Sequence, residues 1–151
     1  MNRLSPSRPA LRRRHPATAV AAAGTVYFLI VFAAGFVLGV ARTLWLVPRI
    51  GVRWAELLEI PVMLVVIYWA ARGVSRLFRL DDHRRPVQAG VGFVGLLLLV
   101  GAELWLALQL GGQSPAEYVA SRDPVSGTAY ALSLLLFVLM PVLVTRDPNP
   151  G

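Results

Sequence analysis

The sequence predicts an all-α integral membrane protein, a four-helix bundle with two parallel-repeated helix hairpins as a candidate substructure. Three observations carry this expectation. First, 56% of the 151 residues are hydrophobic and only 15% are charged. The apolar residues also come in blocks close to the ~20 that carry a helix across a bilayer. Second, the charges collect between those blocks. Third, the landmarks of the first half recur in the second.

Residues 1–18, MNRLSPSRPALRRRHPAT, are rich in Pro and Arg and lack apolar periodicity, which predicts a disordered basic cytoplasmic tail. A targeting peptide is the competing reading. The apolar block that follows is too long for a signal-peptide core, and no small-residue cleavage site ends it, which favours a retained anchor.

The first span is expected over about 19–41. Gly35 and Gly39 lie four apart and Arg42 follows seven after Gly35, so the three share one helix face. Small residues at this spacing admit a neighbouring helix. Arg42 then either points into the bundle or snorkels to the headgroups.

Val47-Pro48-Arg49-Ile50-Gly51 reads as a tight connection. The second span, about 55–78, either starts near Pro61 or starts near Trp54 and bends at that proline. Glu56 and Glu59 share its first face. Tyr68 and Trp69 are suited to the far interface. The connection at 72–86, RGVSRLFRLDDHRRP, carries five arginines and the Asp81-Asp82 pair.

The third span covers about 87–110 and holds Glu103. Ser114-Pro115-Ala116-Glu117 has the form of a capping box, predicting a short outer helix over 115–121. Asp123-Pro124 opens the fourth span, about 125–144, with Pro141 bending its end. Residues 145–151 are a C-terminal tail.

The net charge of +7 comes from fifteen arginines and no lysine. Because the arginines flank apolar spans, they predict orientation and lipid contact rather than nucleic-acid binding. Eleven arginines fall in the two tails and the middle connection against four elsewhere, which places both termini in the cytoplasm. The expected partners are the bilayer, anionic lipid at the cytoplasmic arginines, and a second copy or another membrane protein.

Thr43-Leu44-Trp45-Leu46 aligns with Glu103-Leu104-Trp105-Leu106 sixty positions on, and Ala55-Glu56 and Pro61-Val62 align with Ala116-Glu117 and Pro124-Val125. Two-span units repeat in one orientation, so a pseudo-axis along the membrane normal is expected. Arg42 in the first half then lies at a site nearly equivalent to that of Glu103 in the second, with Glu59 close by, and Glu59 stands likewise to Arg122. The two pairs are expected to meet across the axis. With Glu56 they form a predicted intramembrane charge cluster: Arg42, Glu56, Glu59, Glu103 and Arg122. A carboxylate as deep as Glu103 must be paired, protonated or hydrated.

The segment GFVLGVAR, the AELLEIP run with its flanking Pro, Gly and Met, and SRDPVSG resemble uncharacterised four-span bacterial inner-membrane proteins. The resemblance covers most of the chain. It implies an inner-membrane, multi-pass protein and brings no activity with it. Small multidrug exporters carry their glutamate in the first span, where this chain has none. Fluoride channels have a polar third-span motif without a counterpart in VGFVGLLLLVGAELWLAL.

Cysteine is absent, which excludes disulfides and thiolate chemistry, and both histidines lie in basic connecting segments, against a bis-histidine haem. Ser121 and Thr43 have no histidine base in reach, so no catalytic residue is expected. Glu56, Glu59 and Glu103 could converge as metal ligands, but the nearby arginines favour charge pairing, so no metal or cofactor is expected and the chain does not read as an enzyme. Three classes remain, in this order. The first is a structural or accessory membrane protein whose ion pairs fix helix register. The second is an oligomeric ion- or proton-coupled transporter or channel using Glu103. The third is a lipid-headgroup-binding protein. The spans are read as lacking a polar stripe, which weighs against the second. The discriminating observation is whether the outer cluster encloses a cavity open to water; a closed, packed cluster favours the first.

Overall fold

The computed structural model describes residues 16–80, 85–111 and 124–145. Among these the chain is all-helical. Helix α1 spans Pro16–Ala41, a π-helical segment spans Arg42–Leu46, and α2 spans Val47–Leu77. Helix α3 spans Arg85–Gly111 and α4 spans Pro124–Val144. Of the expected tails, residues 1–15 and 146–151 lie outside the described residues, as do the short helix over 115–121 and Arg122; residues 16–18, expected in the disordered tail, are the first turn of α1.

Three continuous helical stretches are long and apolar enough to cross a membrane: Ala17–Leu77, Arg85–Gln109 and Pro124–Val144. Their exposed side chains are what a bilayer solvates. Leu29, Val37, Trp69, Leu97 and Leu135 all point outward. The first stretch is 61 residues long, far beyond the ~20 of a single span. It folds back on itself at Gly51.

That break corrects the expected connection at 47–51. Residues Val47 to Ile50 are helical, and the interruption is Gly51 alone, at φ 78° and ψ 165°. Glycine occupies this region because it has no Cβ to clash there. Pro48 acts one turn earlier. It has no N–H for the Leu44 carbonyl, and its ring crowds that carbonyl. The turn before it widens to π geometry, with the Val47 N–H donating to the Arg42 carbonyl. Arg49 Nη1 donates to the Trp45 carbonyl at 2.7 Å, and Thr43 Oγ1 to the Gly39 carbonyl at 2.8 Å. Pro61 sits inside α2 without ending it.

Helix α2 runs back along α1: Gly35 meets Met63, and Arg42 meets Glu59 and Glu56 nearer the break. Helix α3 runs parallel to α1, with Gly90 against Val20, Gly24 against Val94 and Gly95 against Tyr27. Helix α4 runs antiparallel to α3, with Gly92 against Val138 and Glu103 against Tyr130. Contacts join α1 to α2 and α3, and α4 to α2 and α3. The hairpins therefore lie side by side, α1 on α3 and α2 on α4. A two-fold axis between them would instead set α1 diagonally across from α3.

The two ends of the molecule differ. At the Leu80 end the packing is close. A Cβ on Gly92 would lie 2.0 Å from the Val138 carbonyl oxygen, and one on Gly24 2.7 Å from Val94. Helix α2 ends with Arg79 at φ 52°, and buried Gln88 Nε2 donates to the Leu80 carbonyl at 2.9 Å, tying the start of α3 to that turn. Midway, Tyr27 stacks on Phe137. Beyond that pair, toward Gly51, the helices separate.

Candidate functional site

The separation leaves a partly open cavity of about 610 Å³, lined by all the helices and the π segment. Its volume falls within the ~300–1,000 Å³ of small-molecule pockets. The deep end is apolar and buried: Val31, Ile67, Leu99 and Phe137. Toward Gly51 the lining becomes polar, with Arg42, Glu56, Glu59, Glu103, Ser126 and Tyr130. One border is formed by Phe36, Val40 and Leu44, which line the cavity and are also exposed. An apolar rim of this kind faces the same surroundings as the outer faces of the helices.

Arg42 sits between two carboxylates of its own hairpin. Its Nη1 lies 3.5 Å from Glu56 Oε1 and its Nε 3.2 Å from Glu59 Oε2. Helical spacing puts Glu56 and Glu59 on one face of α2, and the return at Gly51 brings that face level with Arg42. The three side chains are 16–29% exposed, a partly desolvated trio. Glu59 Oε2 is itself buried and accepts no hydrogen bond from the described residues, so the approach of Arg42 satisfies its charge but not its lone pairs.

On another wall the Tyr130 hydroxyl donates to Glu103 Oε2. The expected pairing of Arg42 with Glu103 is therefore replaced: the ion pairs of Arg42 run to Glu56 and Glu59. The reason is register. The contacts of α1 with α3 join residues 20 to 90 and 27 to 95. Continued outward, they set Glu103 level with about Gly35, ~10 Å short of Arg42 at 1.5 Å per residue. The sixty-residue offset of the sequence repeat does not coincide with this packing offset.

Of the two glycines of the GFVLGVAR segment, Gly35 faces a neighbouring helix as expected and Gly39 does not. A Cβ on Gly35 would touch Met63 Cε at 3.4 Å, whereas one on Gly39 would meet nothing within 4 Å. Gly39 widens the cavity instead of seating a helix. Of the predicted cluster, Arg42, Glu56, Glu59 and Glu103 all line this one space.

Sequence reasoning missed the α4 wall. Ser126, Tyr130, Ser133 and Phe137 recur at intervals of four, three and four, and all line the cavity. This is a polar stripe at helical spacing, contrary to the reading that the spans lack one. Ser133 Oγ donates to the Tyr130 carbonyl at 2.7 Å, which satisfies its hydroxyl inside its own helix.

The arrangement can hold an apolar body at the deep end and a polar or charged head among the carboxylates and Arg42. Compared with protein-family models, curated proteins and solved structures, the chain matches none.

Proposed function

We propose that the chain is a small inner-membrane protein of accessory type that binds an amphipathic small molecule in the cavity between its helices. The Ala17–Leu77 stretch crosses the bilayer twice, turning at Gly51, which makes four spans with the later two. Both termini are cytoplasmic, in keeping with the arginine distribution, and the cavity lies in the outer half. Arginines 72, 76, 79 and 85 then meet anionic headgroups on the cytoplasmic side. The resemblance to uncharacterised four-span inner-membrane proteins fits this topology.

One observation carries the reading: a cavity with an apolar deep end, a charged wall and an exposed apolar border at Phe36, Val40 and Leu44. Ion pairs serving only to fix helix register call for no such space. A through-channel is disfavoured by the stacked Tyr27 and Phe137 beneath the cavity.

Photolabelling tests the reading. The full chain in phosphatidylcholine nanodiscs is exposed to a fatty alcohol carrying a diazirine, and adducts are located by mass spectrometry. Adducts on Ile67, Leu99 and Phe137 are expected. They should disappear in Gly39→Leu, where the new side chain fills open space. Labelling confined to outward residues such as Leu29, Leu97 and Leu135 would sink the proposal.

A further inference from the structure

The walls of the cavity do more than accommodate an amphiphile; they select its charge. We infer that the preferred ligand is a primary ammonium carried on an apolar body, an inference that rests on the binding role proposed above. Arg42 is the one cation among the described lining residues, and three carboxylates share the cavity with it. Even with Glu103 set aside, Glu56 and Glu59 outnumber Arg42. An anionic head would have to displace carboxylates from the guanidinium. A cationic head adds a counter-charge where one is lacking.

The second observation is the orphaned acceptor. Glu59 Oε2 is buried and accepts no hydrogen bond from the described residues, although Arg42 Nε stands 3.2 Å away. A buried carboxylate oxygen without a donor is costly. A primary ammonium brings three N–H donors on a compact charge and can supply one to Glu59. Quaternary ammonium has none. Opposite, the Tyr130 hydroxyl holds Glu103 in place, and the tail of the ligand would extend toward Ile67, Leu99 and Phe137. Two sources offer this chemistry: a free lipophilic amine and the headgroup of phosphatidylethanolamine.

The test uses the full chain in phosphatidylcholine nanodiscs and reads loss of the diazirine label from Ile67 and Leu99. Octylammonium, octyltrimethylammonium, octanol and octyl sulfate compete in turn. Octylammonium should displace the label at a concentration at least tenfold below that of the other three. Glu59→Gln should erase most of that advantage, whereas Glu59→Asp should keep part of it. The ranking in the parent protein needs no variant, so a Glu59→Gln chain that failed to fold would leave the test intact. Equal potency of octanol and octylammonium would overturn the charge preference while leaving the amphiphile-binding role standing. A lead for octyl sulfate would reverse the sign of the inference. Failure to label the deep residues would end both. Adding phosphatidylethanolamine to the discs separates the sources: weakened competition by octylammonium assigns the amine to lipid, and unchanged competition assigns it to a free solute. Both of these results support a primary ammonium.

Discussion

Tyr27 lies flat against Phe137, ring centroids 4.3 Å apart and planes 12° from parallel, and its hydroxyl donates to the Phe137 carbonyl at 2.9 Å. This contact between α1 and α4 crosses the middle of the molecule. It closes the cavity from below and caps the tightly packed half. Both side chains are fully buried, so neither has an alternative partner in lipid.

Removing only the hydroxyl should be tolerated. Tyr27→Phe keeps the stacked ring and loses one hydrogen bond, a cost of ~1 kcal/mol. Tyr27→Ala removes the ring and leaves a hole continuous with the cavity, a cost of ~3–5 kcal/mol. Unfolding midpoints in one detergent, compared across the parent and both variants, check the order. Equal midpoints for the two variants would mean that the ring is not a packing element.

Glycines on the two sides of that plug should respond in opposite directions. A Cβ at position 92 would lie 2.0 Å from the Val138 carbonyl oxygen, so Gly92→Ala must push α3 from α4. A loss of ~3 kcal/mol is expected. Gly39→Ala meets open space and gains helix propensity of up to ~1 kcal/mol. Thermal unfolding of the two variants should bracket the parent. A destabilised Gly39→Ala would mean that the cavity is filled by protein.

Gly51 should tolerate no side chain. At φ 78° and ψ 165° an L-residue is strained, at ~1–3 kcal/mol. The space around a Cβ there is open, so the penalty would be one of backbone conformation and not of packing. Gly51→Ala and Gly51→Leu, which is unbranched at Cβ, should therefore lose similar folded yield. A marked excess loss for leucine would point to crowding.

These contrasts mark what the sequence could and could not disclose. Long apolar blocks announced helices because bilayer-length periodicity is a property of each segment alone. The break was narrowed to Val47–Gly51, but choosing between Pro48 and Gly51 requires φ, which composition does not contain. Pro48 loosened a turn, and Gly51 made the bend. The α4 stripe Ser126–Tyr130–Ser133 is legible in its spacing, but two serines and a tyrosine in a largely apolar segment carry little signal until the facing helices are placed. The partner of Arg42 was not legible. It depends on how far α3 slides along α1, and that is set by glycines such as Gly24 and Gly95 meeting Val94 and Tyr27 across the interface. A cavity is what remains after such packing, and no residue encodes it singly.

The arginine distribution predicts cytoplasmic termini, and reporter fusions test that orientation. Reporter fusions after residue 82 and at the C-terminus should read as cytoplasmic, and one after residue 113 as external. An external C-terminus would invert the cavity to the cytoplasmic side and remove the positive-inside argument.

The last expectation concerns which carboxylate answers to Arg42. Arg42→Gln leaves Glu56 and Glu59 together without a counter-charge, and Glu59→Gln leaves Arg42 with Glu56 alone at 3.5 Å. The trio is 16–29% exposed, so each loss should fall below the ~3–5 kcal/mol of a fully buried pair broken on one side, at ~1–3 kcal/mol. A double-mutant cycle separates the pairing from packing. Arg42→Gln combined with Glu59→Gln should cost less than the sum of the singles, because neither charge is then stranded. Arg42→Gln combined with Glu103→Gln should be additive, because Glu103 sits lower in the cavity against Tyr130. Unfolding midpoints of the three singles and two doubles decide it. Coupling between Arg42 and Glu103 larger than that between Arg42 and Glu59 would restore the pairing across the two hairpins and contradict the register set by Gly24 and Gly95.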